Sequence, residues 1–131
     1  MKEEDIVILV KYRMEQAQQS LEDAKFLLAG KRSVPAIVNR SYYAMFYAAM
    51  AILQKNGQVP SKHTGMLSLF DREFIQKGIF PKELSKDLHR TFELRQVVDY
   101  KITEEVTLEK AEEILAKAGH FVAAVIKHLA K

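Results

Sequence analysis

Cysteine is absent from the 131 residues, which excludes a disulfide framework, a thiolate zinc site and a cysteine nucleophile. No apolar run approaches the ~20 residues of a membrane span; the longest low-polarity stretch is Ser41 to Leu53. The opening residues, Met1-Lys2-Glu3-Glu4-Asp5, lead into only a short apolar stretch, Ile6 to Val10, and do not read as a signal peptide. A cytoplasmic protein without membrane contact is expected. Charge of one sign is not in large excess either. The net +3 comes from lysines and arginines scattered among acidic residues, which permits contact with phosphate but argues only weakly for it. Glycine-rich phosphate loops, GxSxG elbows and HExxH helices are missing.

What is present is globular: 48% hydrophobic and 28% charged residues are too apolar for a disordered chain and suit one domain over residues 1–131. Leucine, valine, alanine and methionine recur at steps of three and four, with glycine and proline between the periodic segments. This predicts an all-α, up-and-down bundle of about five helices joined by short connections. The first runs from Glu4 to Ala29, with a stripe of Val10, Met14, Ala17, Leu21, Ala24 and Leu28, and Gly30 is expected to end it in the left-handed conformation. Ser33 is expected to cap the second, which lasts to Asn56-Gly57. From Ser41 to Leu53 that helix has no charge on any face, so it should be the central rod. Ser61 is expected to cap a third helix that ends near Lys77-Gly78, Pro81 to start a fourth that ends near Tyr100, and Thr107 to cap the fifth.

Some residues do not suit a plain bundle. On the fourth helix Arg95 falls at the centre of the stripe formed by Leu84, Leu88, Phe92 and Val98, so it should be mostly buried among acceptors. Asp99, one turn later, is the nearest candidate, and Tyr100 follows directly. Arg95 and Asp99 make either a structural ion pair or, with Tyr100, a site where the guanidinium grips a phosphate at two points. His63, in line with Met66, Leu67, Phe70 and Phe74, should face inward as a neutral ring at the positive end of its helix. Arg40, Tyr43 and Tyr47 share one side of the central helix, where tyrosines are commonly core residues and Arg40 offers a second cation near Arg95. His89 should project away from the stripe, and His120 and His128 lack matching carboxylates, so neither a metal nor another cofactor is expected.

The segments Asn39-Arg40-Ser41-Tyr42-Tyr43-Ala44-Met45-Phe46-Tyr47, Pro60-Ser61-Lys62-His63-Thr64-Gly65 and Leu94-Arg95-Gln96-Val97-Val98-Asp99-Tyr100 resemble, in order, the signature blocks of short prokaryotic HEPN domains (higher eukaryotes and prokaryotes nucleotide-binding). The resemblance implies a helical bundle that pairs with itself and sets the arginine motifs of two protomers along a shared cleft. It also implies a metal-independent RNA-cleaving toxin, or an RNA- or nucleotide-binding protein, with a minimal nucleotidyltransferase as antitoxin. The family motif is an arginine followed after four to six residues by a histidine. Arg95 matches the arginine, but Tyr100 stands where the histidine is expected. A phenol with an unperturbed pKa of about 10 is a poor general base, although it can donate a hydrogen bond to a phosphate or leaving oxygen. His63 would have to supply the imidazole. Two readings stay open: a site with Arg95, His63 and Tyr100 as catalytic groups and Arg40, Tyr43 and Asp99 as ligand contacts, or a noncatalytic helical interaction module.

Overall fold

The computed structural model describes residues 2–100, of which 99 and 100 by backbone alone, and 106–131. Within them are α1 (Glu3–Ala29), α2 (Val34–Lys55), α3 (His63–Phe70), α4 (Lys82–Tyr100) and α5 (Leu108–Leu129), with no strand. A π-helical turn, Asp71–Ile75, continues α3 and is closed by the Gln76 amide on the Asp71 carbonyl at 2.8 Å. The all-α bundle expected from the periodicity is present.

The helix ends were read less well. Gly30 is not left-handed (φ −82°); Lys31 is, at φ 53°. The chain nevertheless closes α1 with a Schellman pair, Arg32 N–H to the Leu27 carbonyl and Lys31 N–H to the Leu28 carbonyl, both 2.9 Å. Ser33 makes no side-chain cap on α2, and α3 begins two residues beyond Ser61, with Lys62 in the capping position. Thr107 does cap α5, its hydroxyl accepting from the Lys110 amide at 3.1 Å.

Packing follows the stripes. Ala17, Leu21 and Ala24 of α1 close onto α2, whose Ala44, Ala48, Ala49 and Ala51 are fully buried, small side chains that let helix backbones approach. Met66, Phe70, Phe74, Phe121, Val122 and Val125 complete this core. A second cluster joins Ile37 and Val38 near the start of α2, Leu94 late in α4, and Ala111 and Ile114 early in α5. That grouping makes α4 antiparallel and α5 parallel to α2. Helix α2 touches α1, α3, α4 and α5, as the central rod should, while among the described residues α1 packs on α2 and α5 and not on α3 or α4. No described helix is long and apolar enough to cross a membrane.

Candidate phosphate-binding cleft

One side of α2 is less completely covered than the rest. Arg40, Tyr43, Phe46 and Tyr47 recur at steps of three and four there and are half-buried, while Ser41, Tyr42, Ala44 and Met45 beside them are sealed. The start of α3 and the later turns of α4 flank this side and bring His63, Phe92 and Arg95 to it.

His63 sits in an aromatic enclosure. Its ring centroid lies 4.6 Å from that of Phe46, 5.6 Å from Tyr42, 6.0 Å from Tyr43 and 6.1 Å from Phe92, the last nearly parallel at 24°. Its Nδ1 is 2.7 Å from the Tyr42 hydroxyl, a contact across 21 residues of sequence. Burial, and then the charge of Arg95, hold the imidazole below its ordinary pKa. The ring is therefore neutral at neutral pH. The neutral state expected for a helix start is found, with burial and Arg95 as its causes. Burial also pushes the Tyr42 phenol well above its ordinary value, only partly opposed by Arg95, so Tyr42 stays protonated.

The two arginines converge on one ring. The Arg95 guanidinium carbon lies 5.3 Å from the Tyr43 centroid and 5.5 Å from that of Tyr42, and the Arg40 guanidinium carbon is 5.2 Å from Tyr43. Arg40 is also steadied by donating from Nε (3.1 Å) and Nη2 (2.7 Å) to Asn39 Oδ1. Arg95 is mostly buried, as expected, and its Nε is sealed from solvent. It is the guanidinium itself that packs against Tyr42 and Tyr43, whose ring faces attract a cation.

Thus His63, Arg95, Arg40 and Tyr43 are brought together. Tyr47 reaches the edge of the group, 5.8 Å from Tyr43 and 5.7 Å from Phe46. The side chains of Asp99 and Tyr100 lie outside the described residues, so the expected Arg95–Asp99 pair has no geometry here. Tyr42, Phe46, Phe92 and Asn39 were not anticipated at the site. The uncharged run on α2 hinted at the first two; the third was visible only as a stripe residue of α4.

His89 proves to be engaged. Its Nε2 is 2.7 Å from Asp71 Oδ2, and the Ser85 hydroxyl donates to Asp71 Oδ1 at 2.6 Å, which ties the π-helical turn to α4. His128 packs edge-on against Phe74 and Phe80, and burial, then Lys131 and Lys55, lower its pKa. Among the described residues no three histidines or carboxylates gather as metal ligands.

Comparison with known proteins gives this arrangement a context. The HEPN domain model matches residues 10–129. A UPF0332 protein of Thermotoga maritima is 40% identical over 119 residues, covering 91% of this chain and 89% of its own. Two Methanocaldococcus jannaschii proteins, named "Putative toxin MJ0142" and "Putative toxin MJ0605", are 34% and 33% identical over 116 residues. These alignments cover 88% of this chain and 78% and 85% of the respective relatives.

Proposed function

The chain belongs to the HEPN domain family, and on that premise we propose that it is a toxin-like protein that holds RNA phosphate with Arg95 and Arg40 and cleaves the strand without a metal ion. It works as a homodimer, and a minimal nucleotidyltransferase is its antitoxin. The observation that carries the cleavage reading is a neutral His63 in the same aromatic enclosure as Arg95. The Tyr42–His63 contact admits either direction, and the reading rests on the tautomer with the proton on Nδ1, which donates to the Tyr42 oxygen and keeps a lone pair on Nε2 to take a proton. The imidazole takes the proton of a ribose 2′-hydroxyl, the 2′-oxygen attacks phosphorus, and the bond to the 5′-oxygen breaks. The products are a 2′,3′-cyclic phosphate and a 5′-hydroxyl, the leaving oxygen being hydrogen-bonded by Tyr100 and protonated by solvent. Planar guanidinium groups suit the phosphate because they offer two parallel donors.

The second reading, a noncatalytic interaction module, is favoured by the replacement of the family histidine by Tyr100 and by the packing of Arg95 on Tyr42 and Tyr43. Purified variants separate the two. Arg95→Ala is expected to abolish RNA or nucleotide engagement, and Arg95→Lys to restore it poorly. His63→Ala should remove cleavage while leaving binding largely intact. Tyr100→Phe should weaken binding without eliminating it. Circular dichroism and melting curves check that each variant is folded. Wild-type protein that neither binds nor cuts RNA or nucleotides, alone or with a co-expressed nucleotidyltransferase, would leave the interaction module standing.

A further inference from the structure

Arg40 and its neighbour Asn39 line a second hollow besides the cleft. It holds about 440 Å³ between the end of α1 and the first turns of α2, and its walls are Leu27, Ser33, Pro35, Ala36, Asn39 and Arg40. A volume of this order is in the range of small-molecule sites, and Leu27, Pro35 and Ala36 give it apolar sides. Arg40 belongs to both places. Its guanidinium carbon lies 5.2 Å from the centre of the Tyr43 ring that also carries Arg95, and its side chain walls the hollow. A nucleotide whose phosphate rests on Arg40 therefore has a place for its base close by.

Asn39 decides which base that place accepts. A guanidinium only donates, so the carboxamide oxygen must be the atom that faces it. Arg40 Nε and Nη2 reach that oxygen at 3.1 and 2.7 Å and use both of its lone pairs. What Asn39 has left is Nδ2, whose two N–H groups have no hydrogen-bond partner among the described residues. The two-point reading of adenine by asparagine needs the oxygen as well as the nitrogen, and is closed off here. Uracil and guanine carry a keto oxygen at O4 and O6, whereas cytosine and adenine carry an amino group at those positions. We infer that the hollow is a base subsite that selects keto bases, uracil or guanine, through a hydrogen bond from Asn39 Nδ2 to O4 or O6. Cytosine and adenine set donor against donor and leave both groups unpaired. The apolar walls pack on the faces of a base splayed out of its single strand, the form in which RNA sequence is read. This deepens the RNA reading above: it rests on the phosphate grip and adds a sequence preference to it.

The test is filter binding of the full chain to short 2′-O-methyl oligouridylate and oligocytidylate of equal length, which cannot be cut through the 2′-oxygen. Wild type is expected to hold oligouridylate at least about five-fold more tightly, the cost of one unpaired polar group. Asn39→Asp keeps an acceptor for Arg40 and replaces the donor by a second oxygen, which suits the amino group of cytosine. Its extra negative charge weakens both ligands alike, so the ratio is the readout, and it should reverse. Asn39→Leu offers neither donor nor acceptor and should bring the ratio near one. Melting curves check that both variants fold. Equal retention of the two oligonucleotides by wild type, or a preference for oligocytidylate, would overturn the subsite and leave the arginine grip standing. A uridine preference that persists in both variants would overturn it as well. Wild type that retains neither oligonucleotide would overturn the RNA reading and the subsite together.

Discussion

Along α2, Ala44, Met45, Ala48 and Ile52 are sealed against neighbouring helices, whereas Tyr43, Phe46 and Tyr47 on the other side of the same helix are half-buried and hold arginines and a histidine. Both sides are uncharged from Ser41 to Leu53, so charge does not distinguish them. Side-chain size and polarity of the tip do. Small and aliphatic groups let helices close until no polar atom can remain, while aromatic rings keep neighbouring elements apart and offer faces to cations and hydroxyls to donors. The same helix thereby supplies stability on one side and the candidate site on the other.

The sharpest way to break that division is a paired substitution. Met45→Ala on the sealed side should lower the unfolding free energy by about 2–5 kcal/mol, the range for truncating a fully buried side chain. Tyr43→Leu on the open side should lower it by only about 1 kcal/mol, near the value of the cation contacts it removes. Yet Tyr43→Leu should weaken RNA retention at least ten-fold, because Arg40 and Arg95 both rest on that ring. Urea titration and filter binding on the same preparations measure the two. If Met45→Ala abolishes binding in folded protein, or Tyr43→Leu destabilises as much as Met45→Ala, the two sides are not separate.

A smaller effect, about 1 kcal/mol, is expected for Tyr42→Phe, which keeps the buried ring and deletes only the hydroxyl paired with His63. Tyr42 belongs to both sides: its ring is in the core and its tip is in the cleft. The ring should therefore matter more than the hydroxyl, and Tyr42→Ala should cost about 3–5 kcal/mol. Equal losses in the two variants would sink this assignment.

How legible this division was in the sequence depends on the range of the contact that creates it. The helices were readable because a stripe of Leu, Ala and Val at steps of three and four is local, and so was the Thr107 cap, whose donor is three residues away. Helix ends were not, since Ser33 and Ser61 have the right chemistry but the backbone enters α2 and α3 without using their hydroxyls as caps. His63 was readable as inward-facing from its helix phase, whereas its hydroxyl partner, 21 residues away, needed the fold. The same holds for His89 and Asp71, 18 residues apart across a π-helical turn that no periodicity announced. Arg95 was readable as a mostly buried residue of α4 from its helix phase, whereas the two tyrosine rings of α2 that its guanidinium rests on needed the fold.

The cleft also imposes a pH dependence. His63 and His128 have folded-state pKa values below the ordinary 6.5. The unfolded chain then binds protons more readily than the folded one as pH falls through 6.5. Their contribution to stability is fully present above pH 6.5 and is lost as the pH drops towards their folded pKa values. Urea midpoints should fall between pH 6.5 and 5, and His63→Asn should make that decline shallower, leaving the part due to His128. An unchanged slope in His63→Asn would mean that the imidazole is not held neutral by its surroundings.

The smallest expected effect is a gain. Ser41 lies on the sealed side, is fully buried, and its hydroxyl has no hydrogen-bond partner among the described residues. A hydroxyl in that position has given up water without recovering an equivalent bond, and in a helix interior serine is also a poorer helix former than alanine. Ser41→Ala removes both disadvantages and leaves only a methyl-sized change in volume, so it should raise the unfolding free energy by about 0.5–1 kcal/mol. Because the residue next to it, Tyr42, carries the His63 contact, the substitution also tests how well the two sides are insulated. RNA binding should be unaltered within two-fold while the urea midpoint rises. A loss of stability would show that the hydroxyl has a partner such as a buried water, and a loss of binding in stable protein would show that Ser41 positions the cleft rather than merely sealing the core beneath it.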